Sequence, residues 1–184
     1  AASPEAIADR AVRLGCSSVA FTYNEPAVFH EYAVDTALAC RARGLATVAV
    51  TNGYVDPGPR EEFYAVVDAV NVDLKACDDA FYRRWCAGRL APVLETLEFI
   101  AGHTAAWLEV TNLLIPGLND SAAGVAGLSA WVAEHLGPDT PLHFSAFHPA
   151  YRLADRPITP AATLEMARRL AREQGLRFVY TGNV

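Results

Sequence analysis

The sequence predicts an α/β protein built on a parallel sheet or a partial barrel. Apolar, β-branched runs alternate with capped amphipathic segments along the whole chain. The starts of six such runs lie about 23 to 37 residues apart, the spacing of consecutive βαβ units. The run Val70-Asn71-Val72-Asp73-Leu74-Lys75 is aliphatic on one face and polar on the other, as in a strand with one face packed under helices. At 184 residues the chain is too short for a full eight-unit barrel, which takes about 250.

The elements follow in order. Ser3-Pro4-Glu5 supplies a cap, a proline for the first helical position and an acidic first turn. Ile7, Ala11 and Leu14 then share a face, and Gly15 stops the helix. A strand is expected at about 17–22. Pro26 opens a helix in which Phe29, Ala33, Ala37 and Cys40 recur every three or four residues, up to Gly44. Ala46 to Thr51 is the second strand. A helix from Gly58 to Val67 follows the turn Asp56-Pro57-Gly58. Val70 to Leu74 is the third strand. Leu94, Leu97 and Ile100 mark a helix closed by Gly102, and Trp107 to Ile115 is the fourth strand. Asn119-Asp120-Ser121 caps a helix ending near His135. Leu142 to Phe147 is the fifth strand, Thr159-Pro160 opens the last helix, and Arg177 to Tyr180 is the sixth strand.

The bulk numbers set limits on function. The apolar fraction of 52% and charged fraction of 20% are those of a globular domain with a core. A net charge of -6 argues against a nucleic-acid partner, which selects a basic face. No apolar run approaches the roughly 20 residues that span a bilayer. No membrane partner is therefore expected. The start Ala1-Ala2-Ser3-Pro4-Glu5 is not a signal peptide, and a cytoplasmic protein is expected. Cys16, Cys40, Cys77 and Cys86 form no closely spaced pair, so no metal site is written locally, and mostly buried reduced thiols are expected.

The polar residues gather at strand ends. Glu25, in Thr22-Tyr23-Asn24-Glu25-Pro26, follows the first strand, where α/β proteins place their chemistry. It suits a glycosidase acid, a cofactor ligand or a first-turn glutamate. Asp73 and Lys75 share a strand face, either as an ion pair or bound to a ligand. With Asn24, Thr51, Asn52, Thr111, Asn112, His143 and Ser145 they are expected to form a polar rim. Acidic acceptors, a cation, hydroxyls and an imidazole suit a ligand carrying an ammonium, a carboxylate and ribose hydroxyls. S-adenosylmethionine carries all three.

The series TYNEP, AVTNGY, VNVDLK, EVTNLLIPGLND, HFSAFHP and VYTGNV resembles radical SAM enzymes of the pyruvate formate-lyase-activating-enzyme-like, glycyl-radical-activase type, and within them the AmmeMemoRadiSam-system branch. The likeness runs from Ser3 to Val184. It implies a partial (βα)6 barrel holding S-adenosylmethionine across its strand ends. It implies that Asn24 and Glu25 meet the methionyl amino group and that Thr51 and Asp73 lie near the methionyl end, where activases also hold a monovalent cation; Asn52 is counted with them as cofactor-binding. It implies that Lys75 meets the methionyl carboxylate and that His143 lies near the nucleoside. Val50 stands where activases often carry an acidic residue, which weakens the cation site.

The family's C-x-x-x-C-x-x-C loop, which ligates a [4Fe-4S] cluster, does not occur in this sequence. The expectation is a single radical SAM barrel fragment over 1–184, without the first βα unit and a C-terminal tail, whose cluster ligands lie in the intact protein. That protein would be an oxidoreductase forming a 5′-deoxyadenosyl radical and acting on an unknown substrate, a protein among the candidates; the fragment alone would be inactive. No side chain in this chain is assigned as acid, base or nucleophile. The alternatives are a non-catalytic α/β ligand-binding module and a glycosidase-like barrel using Glu25, with Asp73 or Glu109 as its second carboxylate. Trp107 and Trp131 are expected in the core, and His30 and His103 at the surface or as caps. His148 suits either a loop cap or a substrate contact. Arg152, Asp155 and Arg156 suit a solvated loop network.

Overall fold

The structure is a computed structural model and describes residues 2–184. Its elements are α1 Pro4–Arg13, β1 Ser18–Phe21, a 3-10 turn Pro26–Phe29, α2 His30–Arg41, β2 Ala46–Thr51, α3 Pro57–Tyr64 and β3 Ala69–Asp73. Then come the single turn α4 Asp79–Phe81, a π-helical turn Tyr82–Cys86, α5 Ala91–His103, β4 Trp107–Leu114, α6 Ala122–His135, β5 Leu142–Ala146, a 3-10 turn Tyr151–Leu153, α7 Ala161–Glu173 and β6 Val179–Gly182. The six strands follow one another in chain order, and this is the α/β, partial (βα)6 class that the sequence predicts. The chain divides into two compact units: residues up to Val72 with Glu95–Leu108, and Asp73–Leu94 with Glu109–Val184.

In the first unit β1 pairs in parallel with β2, from Ser18 opposite Ala46 to Phe21 opposite Ala49, and β2 pairs in parallel with β3. Ser3 caps α1, its Oγ accepting from Ala6 N at 3.2 Å. Ala8 and Ala11 of α1 pack with Cys40 and Leu45, and Val19 closes the cluster. Phe21 tilts against Phe63 of α3, ring centroids 6.0 Å apart. Full burial of side chains of this size stabilises by about 1.5–3 kcal/mol each. Arg41 donates to the carbonyls of Ala65 and Val66, which end α3 at Tyr64, three residues before the expected stop.

In the second unit β4 pairs with β5 and β5 with β6, all in parallel, with Thr111 opposite His143 and His143 opposite Tyr180. Val110, Asn112 and Leu114 are buried in alternation along β4, as are Leu142, Phe144 and Ala146 along β5. Leu128 and Val132 of α6 and Leu164, Ala167 and Ala171 of α7 are buried too. Ser121 caps α6, its Oγ accepting from Gly124 N at 3.1 Å. Thr159 ties the loop after β5 to β4, donating to Leu114 O at 2.6 Å and accepting from Phe147 N at 2.8 Å.

Several expectations are corrected. Trp107 is 58% exposed, because it begins β4 ahead of the buried alternation. The cysteines are not mostly buried: Cys40 alone is, while Cys16 and Cys77 are exposed and Cys86 is half-buried. Gly102 does not close α5, which continues to His103. β6 starts at Val179, after Arg177 N has been taken by Pro138 O. His30 is a half-buried partner of Glu62 at 2.8 Å, where a surface or capping role was expected. His148 is a loop cap, its Nε2 2.9 Å from Asn183 O. The segment 76–90 carries no apolar repeat. Asp78 caps its first turn, and the π turn ends where Ala87 takes the left-handed conformation, at φ 52°.

Candidate functional site

The residues singled out in the sequence fall into clusters, each at strand ends within one unit. In the first unit, Thr51 is the last residue of β2, and its side chain points back into the core, where the residue is 4% exposed. Its hydroxyl donates to Oε1 of Glu25 at 2.6 Å. Asn52 N donates to Oε2 of Glu25 at 2.8 Å, and Ala27 N approaches Oε1 at 3.4 Å. Glu25 is thus the cap of the turn Pro26–Phe29 and at the same time a carboxylate clamped by the end of β2. Thr51 Oγ1 accepts from Gly53 N at 3.1 Å, and Asn52 Oδ1 accepts from Tyr54 N at 2.8 Å. Asn24 is exposed; it follows Tyr23, whose φ of 73° is left-handed.

Tyr64 completes this cluster. It is buried, with Thr51 as its side-chain partner, and burial pushes its hydroxyl pKa up to about 12, with the Glu25 charge acting in the same direction. No sequence signal marked it, because an aromatic residue near a helix end looks like core. The cluster holds one carboxylate in a fixed orientation. A carboxylate has room for about four hydrogen bonds, so Glu25 retains acceptor capacity toward an ammonium group.

In the second unit, Asp73 ends β3, and Lys75 Nζ meets Asp73 Oδ2 at 2.9 Å with both side chains half-buried. The ion pair that spacing allowed is therefore formed. The lysine's backbone is gripped as well. Its N–H donates to Tyr82 Oη at 3.0 Å, and its carbonyl accepts from Asn112 Nδ2 at 3.0 Å and Asn119 Nδ2 at 2.8 Å. Asn112 also donates to Leu74 O at 2.7 Å, while Asn119 donates to Leu113 O and accepts from Ile115 N. Burial holds Tyr82 protonated far above the usual tyrosine range. Asn119 thus fastens the turn after β4 to the end of β3, a role the expected helix cap did not foresee; Ser121 does the capping.

His143 is the second residue of β5, toward the strand's amino end, where a carboxyl-end position was expected. Its Nε2 lies 2.8 Å from Glu109 Oε2, and its ring stacks on Tyr180 at 5.0 Å. The two carboxylates nominated as partners for a glycosidase acid are thus engaged, Asp73 by Lys75 and Glu109 by His143. Among the described residues no group of three or more His, Cys, Asp or Glu gathers as a metal site, and no helix is long and apolar enough to cross a membrane.

No family model matches the chain. An uncharacterised protein of Methanocaldococcus jannaschii is 45% identical over 182 residues, 99% of this chain and 54% of that protein. The benzylsuccinate synthase activating enzyme of Thauera aromatica is 28% identical over 148 residues, 78% of this chain and 44% of that enzyme. The chain therefore spans about half the length of the curated relatives it matches. Among solved structures, a domain of the pyruvate-formate lyase-activating enzyme of Bacteroides vulgatus superposes with a TM-score of 0.79, at 16% identity, over 91% of this chain and 99% of that one. Streptococcus suis SuiB bound to S-adenosylmethionine superposes with a TM-score of 0.73, at 13% identity, over 100% of this chain and 42% of that one. The chain therefore has the fold of radical SAM enzymes of known structure.

Proposed function

We propose that this chain is the S-adenosylmethionine-binding portion of a radical SAM, [4Fe-4S]-dependent enzyme of the activase-like type. The observation that carries the reading is the Glu25 carboxylate, aimed by the Thr51 hydroxyl and the Asn52 N–H, in a chain with a radical SAM fold. The sequence likeness to an activating enzyme supports the same reading. When bound and given one electron by a reduced [4Fe-4S] cluster, S-adenosylmethionine would break its C5′–S bond, releasing methionine and supplying the 5′-deoxyadenosyl radical that takes hydrogen from the substrate.

The chemistry of the donor set fits the methionyl end of that cofactor. Glu25, with the exposed Asn24 beside it, receives the ammonium, and Thr51, Asn52 and the buried Tyr64 fix the carboxylate. Lys75 spends one hydrogen on Asp73 and keeps the others for the methionyl carboxylate. Asp73 orients the ammonium, and Asn112, Asn119 and Tyr82 lock the backbone that carries it. His143, held by Glu109 and Tyr180, is assigned to the nucleoside. The protein's task is binding and orientation.

The residues described here do not fit the cluster. Cys16 and Cys77 are exposed, Cys40 is buried, Cys86 is half-buried, and none belongs to a metal-ligand group. The chain is therefore assigned the cofactor's methionyl end and no cluster ligand. The substrate class proposed is a protein, as for an activase. The test is anaerobic incubation of the intact protein of which this chain is a portion, reduced and cluster-loaded, with S-adenosylmethionine. Formation of 5′-deoxyadenosine is expected; its absence at full cluster content overturns the reading.

A further inference from the structure

A polar cavity lies in the second unit, apart from the residues assigned to S-adenosylmethionine. Its volume is about 350 Å³, and Arg84, Trp85, Gly117, Leu118 and Arg156 line it. These residues come from the segments that follow β3, β4 and β5, three successive connections at the carboxyl ends of parallel strands. Open α/β folds bind ligands at such ends.

The cavity's charge is unusual for this chain. The whole sequence carries a net charge of -6, yet two guanidinium groups converge on one indole. Arg84 lies 5.1 Å and Arg156 5.7 Å from the Trp85 ring centroid. Neither arginine has a carboxylate within ion-pairing distance among the described residues, although the neighbouring Arg83 pairs with Asp79 at 2.6 Å. Asp78 also borders the cavity, but its Oδ1 accepts from Ala80 N at 2.9 Å. Two like charges beside one ring raise the local positive potential, which favours an anion there.

The cavity is built to hold Arg156. Its Nη1 donates to Pro116 O at 2.8 Å. Gly117, at φ 73°, leaves room for the guanidinium, since a Cβ there would sit 3.3 Å from Nη1. Gly117 N donates to Asp120 Oδ1 at 2.8 Å, which fixes the turn. The Nε of Arg156 is buried and makes no hydrogen bond among the described residues. A buried donor left unsatisfied is costly. Arg156 is thus not part of the solvated loop network that its sequence neighbours suggested.

We propose that this cavity is an oxyanion-binding site that takes a carboxylate or phosphate group carried on a planar or apolar body. The guanidinium group of Arg84, and the N–H donors of Arg156 not given to Pro116 O, match such a group. The indole of Trp85, 40% exposed, offers its face to the body that carries the charge. The assignment does not depend on S-adenosylmethionine binding.

The test is titration of the protein with phenyl phosphate, benzoate and phenol, read from the indole N–H resonance of Trp85. Phenyl phosphate and benzoate are expected to shift that resonance and saturate, and phenol is not. The ratio of the two anions' affinities distinguishes a phosphate source from a carboxylate source. Arg84→Gln, at an exposed position where folding is not at risk, is expected to weaken the tighter anion at least tenfold. Arg156→Gln is expected to do the same, provided its amide spectrum stays native. Arg169→Gln, on α7 outside the cavity, is expected to change nothing. Equal binding of phenol, or unchanged affinity in Arg84→Gln, overturns the proposal, as does an absence of saturable shifts with either anion.

Discussion

The hydroxyl of Thr51, at the end of β2, donates to Oε1 of Glu25 at 2.6 Å, and the backbone N–H of the next residue takes the other carboxylate oxygen. One short strand end therefore determines where a carboxylate 26 residues earlier points. The same Thr51 oxygen accepts from Gly53 N, so the hydroxyl both orients Glu25 and shapes the turn behind it.

Thr51→Val keeps the side chain's shape and removes that hydroxyl. Gly53 N and Glu25 each lose a partner in a buried setting, so a loss of about 1–3 kcal/mol is expected. Urea unfolding measures it. A change below about 0.5 kcal/mol would mean that solvent replaces the hydroxyl without cost.

Tyr64 gives the account a pH signature. Its folded pKa is raised from 10.0 to about 12 by burial. A neutral tyrosine then contributes fully below pH 10.0, and its contribution is lost as pH rises toward about 12, because the unfolded chain ionises first. Over that window the wild type should lose roughly 3 kcal/mol relative to Tyr64→Phe, which has no proton to release. Paired unfolding curves from pH 9 to 12 check this, with parallel curves as the contrary outcome.

Much of the fold was legible in the sequence because strands alternate. Val70, Val72 and Leu74 are buried to within 1% exposure, while Asn71, Asp73 and Lys75 on the other face are half-buried, as the period of two requires. The Asp73–Lys75 contact follows from the same period. What stayed hidden depends on partners far apart in the chain. Tyr64 meets Thr51 only once β2 and α3 are packed, and Asn119 reaches Lys75 O across 44 residues. Arg156 looked like a surface residue, and its place beside Trp85 depends on a π turn that no apolar repeat announces.

Asn119 is expected to matter for stability more than the cap beside it. Asn119→Ala removes the hydrogen bonds to Lys75 O, Leu113 O and Ile115 N, a loss of about 2–4 kcal/mol. Ser121→Ala, which removes only the α6 cap, should cost about 1 kcal/mol. Hydrogen exchange adds a local readout, since the Ile115 amide loses its acceptor in Asn119→Ala and should exchange faster. Equal losses in the two variants would contradict the role given to Asn119.

The most direct test is the affinity of the intact, cluster-loaded protein for S-adenosylmethionine, measured by calorimetry in wild type, Lys75→Ala and Arg169→Ala. A charge-assisted hydrogen bond from Lys75 to the methionyl carboxylate is worth roughly 1.5–3 kcal/mol in a site shielded from water, so Lys75→Ala should weaken binding about 10- to 150-fold. Arg169→Ala, which alters only an exposed pair with Glu173 on α7, should bind as wild type does. Unchanged affinity in Lys75→Ala, or no binding by the wild type, would contradict the assignment of this chain to S-adenosylmethionine.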